Sequence, residues 1–285
     1  MKKIALLTSS NTDEHVMHES LLEESLNAYP DLKHQTLNWD DDSINWSEFS
    51  AVIVRTTWDY TKRPEEFLRV LKKISETGAL LLNSYDLLKW NMNKIYLRDL
   101  SKKGVSIIES LFFDEEDFNK QAESFVCEQF IVKPRVGASA EGQEFVTLDR
   151  LIEMNESKKY QGSHFAQPFI EDIKTEGECS YFFFNNKFVY AIKKVPKAGD
   201  FRVQEEFGGR LSAFTPDEEE LKEAYKTADA VKNFSPLYLR VDALKTKAKE
   251  WKLMELEAIE PSMYFGHFAE ASNMFSKALI SRVGF

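Results

Sequence analysis

The sequence predicts a small parallel α/β lobe followed by an α+β region. Two observations predict it. Within residues 1–85, short apolar runs alternate with helical patterns, the order of a parallel sheet covered on both faces. After Phe165, strands of period two are joined by very short links, which make neighbours antiparallel. Size agrees: 285 residues, 43% of them hydrophobic, suggest two or three lobes rather than one.

In chain order, residues 3–8 (KIALLT) read as a buried strand and residues 13–28 as a helix, through Val16, Leu21, Leu22 and Leu26. AVIVR (51–55) is a second strand. Pro64 opens a helix that runs to about Thr77 and is ended by Gly78. ALLLN (79–83) is a third strand. A long helix is expected from Asp86 to Lys103, closed by Gly104, then a strand at VSII (105–108) and an acidic helix over 115–126. EQFIVKPRVGASAEGQEFV gives a strand to Lys133, a small-residue loop and a return strand. Strands follow at 178–184, 187–194, 237–244 and 252–259, with turns at Asn185–Asn186 and at KTKAKE (245–250). Helices are expected at 216–232 and 267–281. No repeat or low-complexity segment is visible.

Charge and composition exclude several functions. A net charge of −10 argues against a general nucleic-acid or membrane-surface binder. Cys127 and Cys179 are far apart and lie in no zinc-like spacing. The apolar run in MKKIALLTSSN is too short for a signal peptide, and no stretch approaches the roughly 20 apolar residues of a membrane span. A cytoplasmic protein is expected, with small-molecule partners; a homodimer stays open.

The most informative stretch is LMELEAIEP (253–261). Glu255 and Glu257 share one face of this strand, opposite Met254, Leu256 and Ala258. In YLRVDAL (238–244), Tyr238, Arg240 and Asp242 share a face. Folding the link about its centre sets Asp242 against Glu255, Arg240 against Glu257, Val241 against Leu256 and Ala243 against Met254; a register shifted by two would also match the faces. Like charges directly opposed cost a few tenths to about 1 kcal/mol when exposed. A cation reverses that sign, and magnesium takes carboxylates together with water and phosphate oxygens. The competing reading is a plain solvated polar face.

Further cations and small residues accompany this face. Lys94 lies in KWNMNKIYL, and Lys133 closes an apolar strand. VGASAEG, with Gly137 and Ser139, lets backbone amides approach phosphate but does not match a P-loop. FAQPFIED (165–172) breaks at Pro168 and exposes backbone groups suited to an adenine edge; it also reads as a plain linker. GDFRVQEEFGG (199–209) carries Arg202 in a glycine-flanked loop, the composition of a lid.

The ordered set resembles a known superfamily. Asn93–Lys94, Lys133–Pro134, the small-residue loop, QPFI, Gly177–Glu178, the Arg202 loop, Arg240-x-Asp242 and Glu255-x-Glu257 resemble the ATP-grasp superfamily in its glutathione-synthetase-like branch. The resemblance covers nearly the whole chain and is strongest from about 85 to 262. RTTWDY (55–60), QPFIEDIKTEGE (167–178), FRVQ and LMELEAIEP are similar to the small ligases that include the cycloserine-forming ureido-serine cyclo-ligase.

This resemblance implies an ATP-grasp fold with a substrate lobe over 1–85, a small ATP-grasp lobe over 86–166 and a C-terminal ATP-grasp lobe over 167–285, with ATP between the last two. It implies ATP and Mg2+ as cofactors. Lys94, Lys133, Gly137 and Ser139 would meet the phosphates, and the backbone from Gln167 through Pro168 and Phe169 to Ile170 would hold adenine. Glu178 would lie near the nucleotide, Lys193 or Lys194 would meet phosphate, and Arg202 and Arg240 would stabilise the transferring group. Asp242, Glu255 and Glu257 would bind metal, with Glu257 where relatives commonly carry Asn.

The implied reaction is ATP-dependent activation of a small carboxylate as an acyl phosphate, then capture by an amine. Two alternatives remain open: intramolecular ring closure of an amino-acid derivative, and a nucleotide-binding regulatory protein without activity. From the residues themselves, Arg55 at a strand end with Thr56, Thr57, Trp58, Asp59 and Tyr60 marks a substrate position, Arg55 pairing with a carboxylate. Against this, Trp58 and Tyr60 also suit packing at a lobe interface. His15 and His18 read as surface histidines, and His267 as a substrate-side candidate.

Overall fold

The computed structural model describes residues 1–10, 18–138, 141–203 and 205–284. Ser139, His15 and Val16 lie outside these. Three sheets follow one another along the chain.

The first contains β1 (Lys2–Thr8), β2 (Leu32–Asn38), β3 (Ala51–Thr56) and β4 (Leu80–Leu82), all parallel, in the order β2-β1-β3-β4. Between them run α1 (Glu19–Asn27) and α2 (Pro64–Ser75). The unbroken apolar runs of β1 and β3 exist because both faces are covered. Phe67, Leu71 and Ile74 of α2 pack on Ala5, Leu7, Val52 and Val54. Ile4, Leu6 and Ile53 face the other way, onto Leu22 and Leu26 of α1. Strand β2 was not expected from the sequence. It is an edge strand, mostly exposed, so its residues (LKHQTLN) carry almost no apolar alternation.

The expected long helix over 86–103 is two helices, α3 (Tyr85–Met92) and α4 (Tyr96–Lys102). Asn93 is extended (φ −103°, ψ 117°), and its side-chain oxygen accepts from the Ile95 N–H at 3.0 Å. An Asn that bonds its own backbone competes with helix continuation. Lys94 therefore sits on a break, its N–H bonded to the Arg135 carbonyl at 2.8 Å.

The second sheet holds β5 (Leu111–Phe112), β6 (Phe130–Pro134), β7 (Glu144–Val146) and β8 (His164–Pro168), antiparallel, in the order β5-β8-β6-β7. Helices α5 (Phe118–Glu123) and α6 (Leu148–Glu156) pack on its back through Phe118, Ala122, Leu151 and Met154. The strand expected at 105–108 is only a single parallel bridge, Ile107 to Leu253; pairing starts at Leu111.

After the short α7 (Ile173–Glu176) come β9 (Glu178–Phe184), β10 (Lys187–Val195), β11 (Arg210–Phe214), α8 (Glu218–Asp229), β12 (Tyr238–Lys245), β13 (Trp251–Glu257) and α9 (Ala271–Val283). The third sheet has the antiparallel order β11-β10-β9-β12-β13. Asn185 and Asn186 both take positive φ (48° and 62°), as a two-residue hairpin turn requires. Asn83, buried beyond β4, ties the first sheet to the third: its amide donates to Tyr238 O (2.9 Å) and Ala258 O (2.8 Å), and its oxygen accepts from Leu237 N (2.6 Å).

Candidate functional site

The register of β12 against β13 places the acids. Arg240 pairs with Glu257, Val241 with Leu256 and Asp242 with Glu255, as the side-chain pattern requires. Beyond Asp242 the expected Ala243–Met254 pair does not form. A bulge sets Ala243 against Leu253 and skips Met254. Bulges re-aim side chains beside sites. Here Met254 joins Leu244, Ile173 and Val203 in a small apolar cluster with Phe169, Ile170 and Phe201.

On the neighbouring strands, Ser180 pairs with Asp242 and Lys194 with Glu178, which extends the polar face across four strands. One large pocket lies over this face. Its walls include Lys94, Lys133, Gly137, the 167–170 hinge, Glu178, Lys194, Arg202, Arg240, Asp242, Glu255 and Glu257. The apolar cluster lines it too, as do Trp58, Tyr60, Ile259, Glu260 and Tyr264.

Most cations in the pocket are held by carboxylates. Lys94 Nζ lies 2.9 Å from Glu255 and donates to the Gly137 carbonyl at 2.6 Å. Arg240 bonds Asp242 at 3.0 Å, forms an ion pair with Glu257, and donates to the Ser262 carbonyl at 3.0 Å. Lys194, nearly inaccessible, pairs with Glu178 and stands 3.7 Å from Asp242. Burial opposes charge on Lys194, yet Asp242 and Glu178 hold it above the usual lysine range. Burial also opposes charge on Asp242, but Arg240, Lys194 and Ser180 hold it below the usual carboxylate range.

Lys133 differs. Its ammonium donates to the Gln167 side chain at 2.8 Å, and burial pulls it down to about 8, with Glu255 only partly offsetting. A desolvated lysine beside neutral groups is a ready receptor for an anion. The other Gln167 amide end is anchored on Ser110 at 3.0 Å, so Gln167 orients Lys133.

Two glycines shape the pocket. Gly177, just before Glu178, has φ +73°, and a Cβ there would lie 2.3 Å from the Lys194 carbonyl oxygen. Gly137 lies so close over Pro134 that a Cβ would sit 3.0 Å from its ring. The Arg202 loop reaches across to the second sheet: Phe201 meets Phe145 edge-on, with ring centroids 4.6 Å apart. Arg202 itself bonds Asp200 at 2.9 Å and stacks on Phe207.

Several sequence expectations need correction. Lys193 pairs with Cys179 on the opposite face of the sheet; Lys194 is the lysine in the pocket. Arg55 is not in the pocket. It is buried against Tyr238, Phe265 and Phe275 and bonded by both Nε and Nη2 to Glu19. Thr57 is also fully buried outside the pocket, and Asp59 is engaged by Trp39 (2.8 Å) and Arg63 (2.8 Å). Of that stretch, Trp58 and Tyr60 reach the pocket wall. His267 bonds Glu205 at 2.9 Å and meets His18 edge-on, outside the pocket lining.

Two lining residues were not expected from the sequence: Leu244, which strand alternation from Asp242 marks, and Met254, which only the bulge brings in. Nor was Tyr264, a left-handed residue (φ 46°) with no sequence signal.

The donors suit magnesium, since the clustered acids offer only oxygen. They are not a preformed cage. Among the described residues no three Asp, Glu, His or Cys converge as a metal cluster, and Lys94 and Arg240 hold Glu255 and Asp242. Magnesium bound with nucleotide phosphates uses only one or two carboxylates, so such an ion fits this face.

The fold is the one found in ATP-grasp ligases of known structure. Its particular relationships are as follows. Residues 4–83 match the family described as D-cycloserine synthetase DcsG, N-terminal domain. Over 268 residues (87% of this chain, 88% of the relative) the chain is 26% identical to cycloserine biosynthesis protein DcsG of Streptomyces lavendulae. The crystal structure of D-cycloserine synthetase DcsG superposes with a TM-score of 0.84 at 23% identity, over 99% of this chain and 100% of that one. The ATP-grasp ligase PsnB with its minimal precursor gives 0.70 at 17% identity, over 99% and 100%. D-alanine–D-alanine ligase from Bacillus anthracis gives 0.69 at 15% identity, over 99% and 97%.

Proposed function

We propose that this pocket binds MgATP and activates a small carboxylate, an amino acid or peptide-like compound, as an acyl phosphate that an amine then captures. The observation that carries this is the convergence of Lys94, Lys133, Lys194 and Arg240 with Asp242, Glu255 and Glu257 around one pocket, beside an apolar slot and the 167–170 hinge. In this reading residues 1–85 supply a substrate wall, and 86–166 and 167–285 enclose the nucleotide. These divisions follow the three sheets, except that β8 runs on to Pro168.

Phe169, Ile170, Phe201 and Met254 take the adenine. Lys94, Lys133 and Lys194 receive phosphate oxygens, with the backbone at Gly137 close by. Asp242, Glu255 and Glu257 would offer magnesium the one or two carboxylates it takes beside phosphates, and the ion would supply charge neutralisation there. Lys94 and Arg240, paired here with these carboxylates, are the cations nearest at hand for the phosphates. Arg240 and Arg202 stabilise the substrate carboxylate as it attacks the γ-phosphoryl group. The Phe201 loop excludes water, which would otherwise hydrolyse the acyl phosphate.

The test is a panel of amino acids and short peptides with MgATP, read as phosphate release. ADP formation that depends on a carboxylate compound supports the reading. Nucleotide binding without such release would favour a regulatory nucleotide-binding protein. Intramolecular ring closure is the second reading, favoured by the similarity to the cycloserine biosynthesis protein. It is distinguished by turnover that needs no second substrate.

A further inference from the structure

Glu260 is the buried acid that the nucleotide reading leaves unused. It lies just past β13, is 7% exposed, and lines the pocket together with Trp58 and Tyr60. The buried carboxylates of this wall are Glu178, Asp242 and Glu260. Lys194 serves Glu178, and Arg240 serves Asp242. Among the described residues, no lysine, arginine or histidine comes within ion-pair distance of Glu260. The side chain that acts on it most directly besides Lys94 and Glu255 is the neutral Tyr60 hydroxyl. Lys94 acts on it only from farther away and is already bonded to Glu255.

A buried carboxyl without a counter-charge is costly as an anion. Burial accordingly pushes Glu260 up to about 7. Packing does not require an acid there, since an amide of the same shape could accept from a neighbouring hydroxyl as well. What an acid adds is the ability to pair with an incoming cation, flanked by aromatic residues that tolerate positive charge.

We propose that Glu260, with Tyr60 and Trp58, forms the subsite for a positively charged amine of the small-molecule substrate. The proposal rests on the pocket being the ligase site. It narrows the substrate to a compound that carries a free ammonium group, such as an unblocked amino acid, and it weighs against N-acylated or simple carboxylic acids. Substrate binding then restores the charge balance: the ammonium stabilises the Glu260 carboxylate, and a proton held by Glu260 passes to solvent or to an amine that enters neutral.

The experiment is thermal unfolding of the full chain with common α-amino acids of both configurations and with their α-hydroxy acid counterparts. It is run with and without Mg2+ and the non-hydrolysable analogue AMPPNP. At least one amino acid is expected to raise the melting temperature while its hydroxy acid does not. Glu260→Gln is expected to weaken that amino acid on the order of ten- to hundredfold, the range of a hydrogen bond to a charged group, while keeping its response to AMPPNP. Equal protection by the hydroxy acid, an undiminished preference in Glu260→Gln, or no protection by any amino acid overturns the proposal. If the variant does not fold, the wild-type comparison of amino with hydroxy acids decides. Absence of any AMPPNP response in the wild type counts instead against the nucleotide reading.

Discussion

Glu255→Gln separates the two things Glu255 can do. In the structure it neutralises Lys94 at 2.9 Å, with side-chain exposures of 34% for the acid and 14% for the lysine. An ion pair this open contributes less than about 1 kcal/mol once solvent screening is counted. At roughly 2–4 °C per kcal/mol for a chain of this order of size, the melting temperature should fall by only a few degrees. The functional loss should be larger. Weakening the hold on a metal that neutralises a transferring phosphoryl group is expected to cost on the order of 3–4 kcal/mol, or about 10²–10³ in turnover. A second effect adds to it. Glu255 is the foremost group favouring charge on Lys133, so the variant should depress Lys133 further and lose more activity at alkaline pH. The assay pairs phosphate release at saturating MgATP with a thermal melt. Turnover within about threefold of wild type would refute the metal assignment. A collapse in melting temperature would show that Glu255 is scaffold.

Three further outcomes follow from the geometry. Lys193→Ala should keep near-wild-type turnover, whereas Lys194→Met should lose on the order of a hundredfold or more and also lower the melting temperature, because it strands buried Glu178; equal effects in the turnover assay would contradict the face assignment. Lys133 is charged in the free protein below about pH 8 and loses its charge above it. Nucleotide affinity, measured by titration calorimetry, should therefore be flat below that pH and then weaken by up to about tenfold per unit, and Lys133→Met should abolish the dependence. Gly177→Ala should lose about 2–4 kcal/mol, from the left-handed backbone and the contact with the Lys194 carbonyl, visible as a drop of roughly 5–12 °C in a thermal melt.

The sequence revealed pattern well and placement less well. The pairs Arg240–Glu257 and Asp242–Glu255 were legible because apolar residues alternate on the reverse face and permit few registers. The bulge one residue later was not, since nothing in DAL or LME marks an extra residue. The helix break at Asn93 was hidden because apolar and polar residues keep helical spacing through it; only Asn, a residue that bonds its own backbone, hinted at it. Arg55 misled for a physical reason. A cation at a strand end suits a ligand carboxylate, but Glu19, distant in sequence, satisfies it first. Lys193 and Lys194 are equivalent in composition and opposite in direction, so choosing between them requires the strand register. Glu260 was visible in LMELEAIEP from the start. Its lack of a counter-charge emerges only when every neighbour is in place.

In the proposed function, this pocket activates a carboxylate by phosphorylation. This is tested most directly by oxygen-18 transfer, using the compound that gives most phosphate release in the panel, labelled in its carboxylate. One labelled oxygen is expected in the released phosphate at each turnover, and Glu255→Gln should suppress label transfer together with turnover. Phosphate released without label would mean that water, not the carboxylate, takes the phosphoryl group, and that the pocket forms no acyl phosphate.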